Sequence, residues 1–280
     1  MCSSHLESEK NAAALFGSRR TVYSAEGSSL SIRAMVFLAV QDALKRGKTP
    51  RIAAGRNAHK VFITAAALLD VQVQWLYPAQ SGSLLTCQIT PETLEEALRR
   101  GEPVTAVYIT SPDYLGNVAD IAGLSRVCRR YGCLLLVDNA HGAYQAFLEA
   151  QQHPMTQGAD LCCDSAHKTL PVLTGGGYLH ISFHAPVEFD SMADSAMALF
   201  ASTSPSYLIL QSLDAANGIL DGRWRTALHH AAAEWAAKRL KCSKNDTRKN
   251  GFSSKSKTRS LRQATASSDC AEKRFICATA

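Results

Sequence analysis

The run DSAHKTLPVLTGGGYLHI, residues 164–181, holds one lysine, Lys168, with Ser165 and His167 just before it and three glycines, Gly175 to Gly177, just after. The largely apolar residues 159–163 ahead of it read as a buried strand, so Lys168 sits at a strand end. Burial and neighbouring cations both lower an ammonium pKa. An amine activated in this way forms a Schiff base with a carbonyl. A solvated lysine capping the strand is the simpler alternative, and Lys168 alone does not separate the two.

Four other stretches offer complementary chemistry. Asp138 closes the apolar run LLLV in VDNAHGAY. Ligands of open α/β sheets bind at the carboxyl ends of strands, where such a carboxylate can pair with a protonated ring nitrogen. Its alternative is an N-cap for a helix starting near Ala140. Ala140 and His141 lie one turn beyond, placed to touch a bound ring or its oxygen, unless His141 is a satisfied core histidine. In AEGSSLSIRAM, Gly27, Ser28 and Ser29 precede a helical pattern and offer N–H groups, hydroxyls and a positive dipole end to a phosphate. A Gly-Ser cap alone serves many helices. His59 in RNAHK follows a strand and opens a helix, so its ring either stacks on an aromatic cofactor or caps the helix. In TSPDYLGNVADI, Thr110 and Ser111 lie at a further strand end, before a loop containing Gly116. Jointly, a phosphate cradle, a stacking ring, an acid for a pyridinium and a lysine for an aldehyde describe pyridoxal phosphate, an electron sink with those needs.

The elements that position these residues alternate along the chain. Helical patterns cover residues 29–45, 61–69, 91–100 (with Pro91 in the first turn) and 121–131. Strand patterns cover 51–54, 71–76, 104–109, 133–137 and 159–163. Continuous apolar strands between helices predict a three-layer α/β/α arrangement around a mostly parallel sheet covered on both faces. Residues 187–240 read as largely helical, with Trp224, Leu228, Ala232 and Trp235 at helical spacing.

TSPDYLGNVADI, LLLVDNAHGAY and SAHKTLPVLTGGGYLHI resemble the major domain of the Orn/Lys/Arg decarboxylases, which have the aspartate-aminotransferase-like (fold type I) architecture of pyridoxal phosphate enzymes. The resemblance runs from about residue 10 to residue 225. It implies that Lys168 forms the Schiff base with the cofactor, that Asp138 pairs with the pyridine nitrogen, that His59 stacks on the ring and that His141 lies beside it. Ser28, Ser165 and His167 then serve the phosphate. Lys168, His167 and Asp138 are the expected catalytic set. Gly27, Ser28, Ser29, His59, Ser111, Asp138, Ala140, His141, Ser165, His167 and Lys168 are the expected cofactor-binding set. Ser202, Thr203 and Ser204 match a further family segment that reaches a phosphate at a dimer interface.

The implied activity is decarboxylation of lysine, arginine or ornithine to the amine, by a homodimer. An aminotransferase or other lyase of the same fold, in which an arginine such as Arg223 or Arg225 clamps the substrate carboxylate, is one rival. An inactive paralogue that only binds cofactor or a partner is another. The chain departs from the family pattern in four ways: no Pro-Gly-His-Lys stretch precedes Ala12, the C-terminal small domain is expected to be truncated, Asn139 stands where Glu is usual, and Gly175 to Gly177 replace a more polar pattern.

The expected organisation is a flexible N-terminus at 1–10, a cofactor-binding major domain at 11–225, a helical remnant at 226–240 and a disordered basic tail at 241–280. The formal charge of +6 resides in that tail, which carries 10 basic and 3 acidic groups, leaving the rest near neutrality, so no nucleic-acid partner is expected. The 9 cysteines form no C-x-x-C pair, and no signal peptide is evident, which suggests a reducing, cytoplasmic setting. No apolar run is long enough to span a bilayer. His180 and His184 fall in a strand pattern, and no metal site is expected.

Overall fold

Strands with almost no polar residue can be buried only between two layers of helices. In the computed structural model, which describes residues 3–79, 86–222 and 224–234, that is their place. Among the described residues the seven strands are β1 (Arg20–Ser24), β2 (Arg51–Gly55), β3 (Gln72–Leu76), β4 (Ala106–Thr110), β5 (Leu134–Asp138), β6 (Leu161–Asp164) and β7 (Gly177–Ile181). Their order in the sheet is β1-β7-β6-β5-β4-β2-β3. Neighbours from β3 through β6 run parallel, whereas β7 is antiparallel to both β6 and β1.

Side chains alternate across the sheet. Ile52, Ala54, Ala106, Tyr108 and Leu136 face a core shared with α2 (Gly27–Lys45), α3 (Lys60–Leu68) and α7 (Glu188–Phe200). Ala53, Val107, Ile109, Leu135 and Val137 face α4 (Pro91–Arg100) and α5 (Ile121–Tyr131). Each large apolar side chain buried here contributes about 1.5–3 kcal/mol. Local chemistry sets the helix ends. Thr90 Oγ1 accepts the Thr93 N–H ahead of Pro91, and Asp120 Oδ1 accepts the Gly123 N–H. Gly132, at φ 63, closes α5 in the left-handed conformation and turns the chain directly into β5.

The amino-terminal residues differ from expectation. They are not a flexible lead-in: α1 spans Ser3–Phe16 and packs against β1 and α8 (Tyr207–Leu220). Ala12 and Phe16 are buried there, and Tyr23, on the unexpected strand β1, accepts the Asn217 Nδ2 donor at its hydroxyl. Residues 224–234 are helical, while Trp235 and the basic segment 241–280 lie outside the described residues. Among the described residues, no helix is long and apolar enough to cross a membrane.

Candidate active site

The carboxyl ends of β2, β4, β5 and β6 and the amino end of α2 surround a cavity of about 240 Å³. Gly27, Ser28, Ser29, His59, Asp138, Ala140, His141, Ser165, His167 and Lys168 all line it. Ser111 does not. Its hydroxyl accepts the Ala119 N–H at 3.0 Å, and Thr110 faces the cavity instead, because successive side chains at a strand end point to opposite faces.

Asp138 is the last residue of β5 and is 2% exposed. The Tyr108 hydroxyl donates to its Oδ2 at 2.9 Å, and the Ala140 N–H donates to its Oδ1 at 3.2 Å. Tyr108 is itself held by stacking on Phe62, with centroids 4.2 Å apart. The N-cap alternative for Asp138 fails: no α-helix starts near Ala140, and only a short 3-10 turn, Ala143–Phe147, follows.

Lys168 lies in the short helix α6 (Ala166–Thr169), directly after β6. Its Nζ donates to His141 Nε2 at 3.1 Å. Burial lowers the Lys168 ammonium pKa, against the opposing pull of Asp138. Burial, followed by the Lys168 charge, also lowers that of His141. The solvated-cap reading of Lys168 therefore does not hold: the amine is half-buried against a neutral imidazole, in the same cavity as a fixed carboxylate.

His59 caps the helix and also faces the cavity. Its Nδ1 accepts the Val61 N–H at 3.3 Å as the cap of α3, and its ring lines the cavity. At the other end, the first turn of α2 has no side-chain cap. Gly27 takes φ +65, and its N–H donates to Gly175 O at 2.6 Å. Ser165 Oγ donates to Ser28 Oγ at 2.7 Å. His167 Nδ1–H donates to Gly176 O at 2.9 Å. The three glycines have a steric reason: a Cβ on Gly177 would lie 2.8 Å from the Gly27 carbonyl carbon, and one on Gly175 would lie 3.0 Å from Ala25 O.

Some expected residues lie elsewhere. The Ser202 N–H donates to Glu26 Oε1 at 2.7 Å in an exposed loop, and neither it, Thr203 nor Ser204 lines the cavity. The Arg225 guanidinium lies 5.7 Å from the Phe147 ring centroid, and Arg223 lies outside the described residues. His184 is exposed, whereas His180 points into the interior toward Asp164.

Sequence reasoning missed Asn57 and Tyr114 as lining residues and gave Thr110 no role of its own. Asn57, two positions before His59 at the end of β2, carried a usable signal. Asn57 Nδ2 and Thr110 Oγ1 are buried without a hydrogen-bond partner. Two orphaned polar atoms, an uncapped helix amino end, a fixed carboxylate and a lowered-pKa amine in one cavity fit a ligand that is anionic at one end and carries a ring nitrogen and a carbonyl.

The architecture is that of the aspartate-aminotransferase-like, fold type I class, a three-layer α/β/α domain on a mostly parallel sheet. A family model described as Orn/Lys/Arg decarboxylase, major domain, matches residues 2–259, and the chain belongs to that family. It is 32% identical over 214 residues to the uncharacterized protein YaaO of Bacillus subtilis (strain 168), covering 75% of this chain and 43% of that protein. It is 29% identical over 212 residues to an arginine decarboxylase of Halalkalibacterium halodurans, covering 75% and 42%. The fold is similar to that of lysine decarboxylase A from Pseudomonas aeruginosa, with a TM-score of 0.65 at 21% identity over 78% of this chain and 31% of that one. The chain thus spans less than half the length of these curated relatives.

Proposed function

We propose that this chain is the cofactor-binding domain of a pyridoxal-phosphate-dependent decarboxylase that converts a basic amino acid (lysine, arginine or ornithine) to its amine and carbon dioxide. The observation that carries the reading is the 3.1 Å contact between Lys168 Nζ and His141 Nε2 in the cavity that also holds Asp138. The Orn/Lys/Arg decarboxylase family supports the same reaction class.

The bound cofactor supplies an electron sink for the carboxylate bond that breaks. Lys168 Nζ would hold its aldehyde. Asp138, fixed by Tyr108 and the Ala140 N–H, would keep a proton on the ring nitrogen. His59 would pack against the ring. The uncapped N–H groups of α2, with Ser28, Ser165 and His167, take the phosphate. Asn57 Nδ2 and Thr110 Oγ1 supply the remaining polar contacts. Lys168, freed when the substrate amine takes its place, would give a proton to the substrate Cα, and His141 Nε2, 3.1 Å from its Nζ, would relay a replacement proton to it from solvent. His167, which also lines the cavity, is the alternative donor for this step. The protein acts as a homodimer in the cytoplasm; Tyr207 and Leu208, 81% and 68% exposed beside the Ser202 loop, support a second copy on that face.

Release of labelled carbon dioxide from carboxyl-labelled lysine, arginine and ornithine tests the reading. The expected result is carbon dioxide together with the matching amine, lost in Lys168→Ala. Keto acid formation would move the chain to the aminotransferases. No turnover by protein that captures the cofactor would make it an inactive binding paralogue.

A further inference from the structure

Behind the cavity, three side chains with no solvent exposure meet. His153 Nε2 lies 2.9 Å and His180 Nε2 3.1 Å from the same oxygen, Asp164 Oδ2. Asn139 Nδ2 donates to the other oxygen, Oδ1, at 2.6 Å. The far sides of the rings assign the protons. The Met155 N–H donates to His153 Nδ1 at 3.3 Å, so His153 carries its proton on Nε2. His180 Nδ1 faces Thr21 Oγ1 at 2.8 Å, and that hydroxyl in turn faces Ser18 Oγ at 2.8 Å. Burial alone would raise the Asp164 carboxyl, but the two imidazoles and their hydrogen bonds draw it below its usual range. Burial holds His180 below its ordinary value, hence neutral.

These groups are spaced closely enough to hold a metal ion, but their protons oppose it. A metal takes an unprotonated ring nitrogen. Moving the His153 proton to Nδ1 would set it against the Met155 N–H. The cluster is a closed set of donors around one carboxylate.

Its location gives it a use. Asp164 ends β6 and directly precedes Ser165 and the Lys168 turn. Asn139 directly follows Asp138 at the end of β5. His180 belongs to β7, whose glycine-rich start abuts Gly27. No member of the cluster lines the cavity, yet it ties together the ends of β5 and β6, which carry Asp138 and the Lys168 turn, and strand β7.

We propose that Asp164 is a positioning residue which, through Asn139, His153 and His180, fixes Lys168 relative to Asp138. The inference rests on the reading of Lys168 and Asp138 as the pair that holds the cofactor. Asn139 Oδ1 is buried without a partner, which makes a sharp distinction between variants. In Asp164→Asn, the new amide can donate to that oxygen after a half-turn of Asn139 while its own oxygen still accepts both imidazoles. In Asp164→Ala, three donors lose their acceptor.

The test uses the purified full chain, these two variants, and Leu124→Ala as a control in the core on the α5 side. One readout needs no cofactor: the pH profile of Lys168 methylation by formaldehyde and cyanoborohydride, followed by peptide mass spectrometry. In the parent, Lys168 should reach half-labelling at a lower pH than the exposed lysines. Asp164→Ala should shift it to join them, while Asp164→Asn and Leu124→Ala keep the parent profile. The second readout is capture of pyridoxal phosphate, expected to weaken at least about tenfold in Asp164→Ala.

A parent-like profile in Asp164→Ala, or an equal shift in Leu124→Ala, overturns the proposal. So does loss of the profile in a folded Asp164→Asn, which would point to charge rather than hydrogen bonding. Stoichiometric zinc whose removal by chelator shifts the profile overturns it as well. If Asp164→Ala does not fold, Asp164→Asn combined with Asn139→Leu takes its place. A parent that shows the profile but captures no pyridoxal phosphate defeats the cofactor reading and leaves the positioning claim standing.

Discussion

Ser165 Oγ donates to Ser28 Oγ at 2.7 Å, a bond between residues 137 apart that joins the amino end of α2 to the turn carrying Lys168. Both hydroxyls line the cavity, so the bond also sets where a phosphate is gripped relative to the amine. Ser28→Ala and Ser165→Ala should each weaken binding of pyridoxal phosphate about fivefold to tenfold, the worth of roughly 1 kcal/mol. Absorbance titration of the two single variants and the double variant checks this. A double-variant loss smaller than the sum marks the two hydroxyls as one unit, and strict additivity would deny the coupling.

Thr110 Oγ1 offers a separation of structural from ligand-directed roles. It is buried with no partner, which is costly in a protein without ligand. Thr110→Val, a change of nearly equal shape, should leave the cofactor-free protein as stable or raise it by about 1 kcal/mol. The same variant should bind pyridoxal phosphate more weakly. Thermal melts with and without the cofactor test both halves. A variant that is destabilised without cofactor and unchanged in affinity would contradict the assignment.

Gly27 combines a left-handed backbone with a place in the cradle, at φ +65. Gly27→Ala should cost about 1–2 kcal/mol from the conformation alone. Its Cβ would lie 3.4 Å from His167 Cε1, an ordinary contact, so the loss is conformational rather than steric. Chemical denaturation measures it; a change within experimental error would mean that another residue tolerates the turn.

Glu9, which does not line the cavity, predicts a pH dependence of stability. The Tyr23 N–H donates to its Oε1 at 2.8 Å, and burial raises its pKa to about 7. An unfolded glutamate titrates near 4.5, so between these values the folded chain binds more protons than the unfolded one. The stability this group contributes is complete below about pH 4.5 and is lost as pH rises through about 7. Its span is on the order of 3 kcal/mol. Glu9→Gln should flatten the melting-temperature profile over that window and leave the variant more stable than the parent at pH 8. A parallel offset at all pH values would show that Glu9 does not titrate there.

The core strands were legible because burial on both faces leaves few polar residues in runs such as LLLV and in residues 159–163. Lys168, Asp138, His59 and Gly27 to Ser29 were legible because they stand where strands end or helices begin. β1 was not, since three of the five residues of RTVYS are polar, and its pairing with β7 joins segments far apart in the chain. The docking of α1 was equally hidden, because it depends on Tyr23 and Asn217 meeting in space. Choosing Ser111 over Thr110 was an error of one residue at a strand end, where one residue reverses the face. The His153, Asp164 and His180 cluster draws on a loop and two strands, and no spacing in the sequence announces it.

The most direct measurement of the central claim is the site of covalent capture. Pyridoxal phosphate is added to the purified chain, borohydride reduces the product, and peptide mass spectrometry locates the pyridoxyl group. The account predicts a single dominant adduct on Lys168, absent in Lys168→Ala and weakened in Ser28→Ala. Adducts spread over the exposed lysines, or a Lys168→Ala variant that captures as much as the parent, would contradict it.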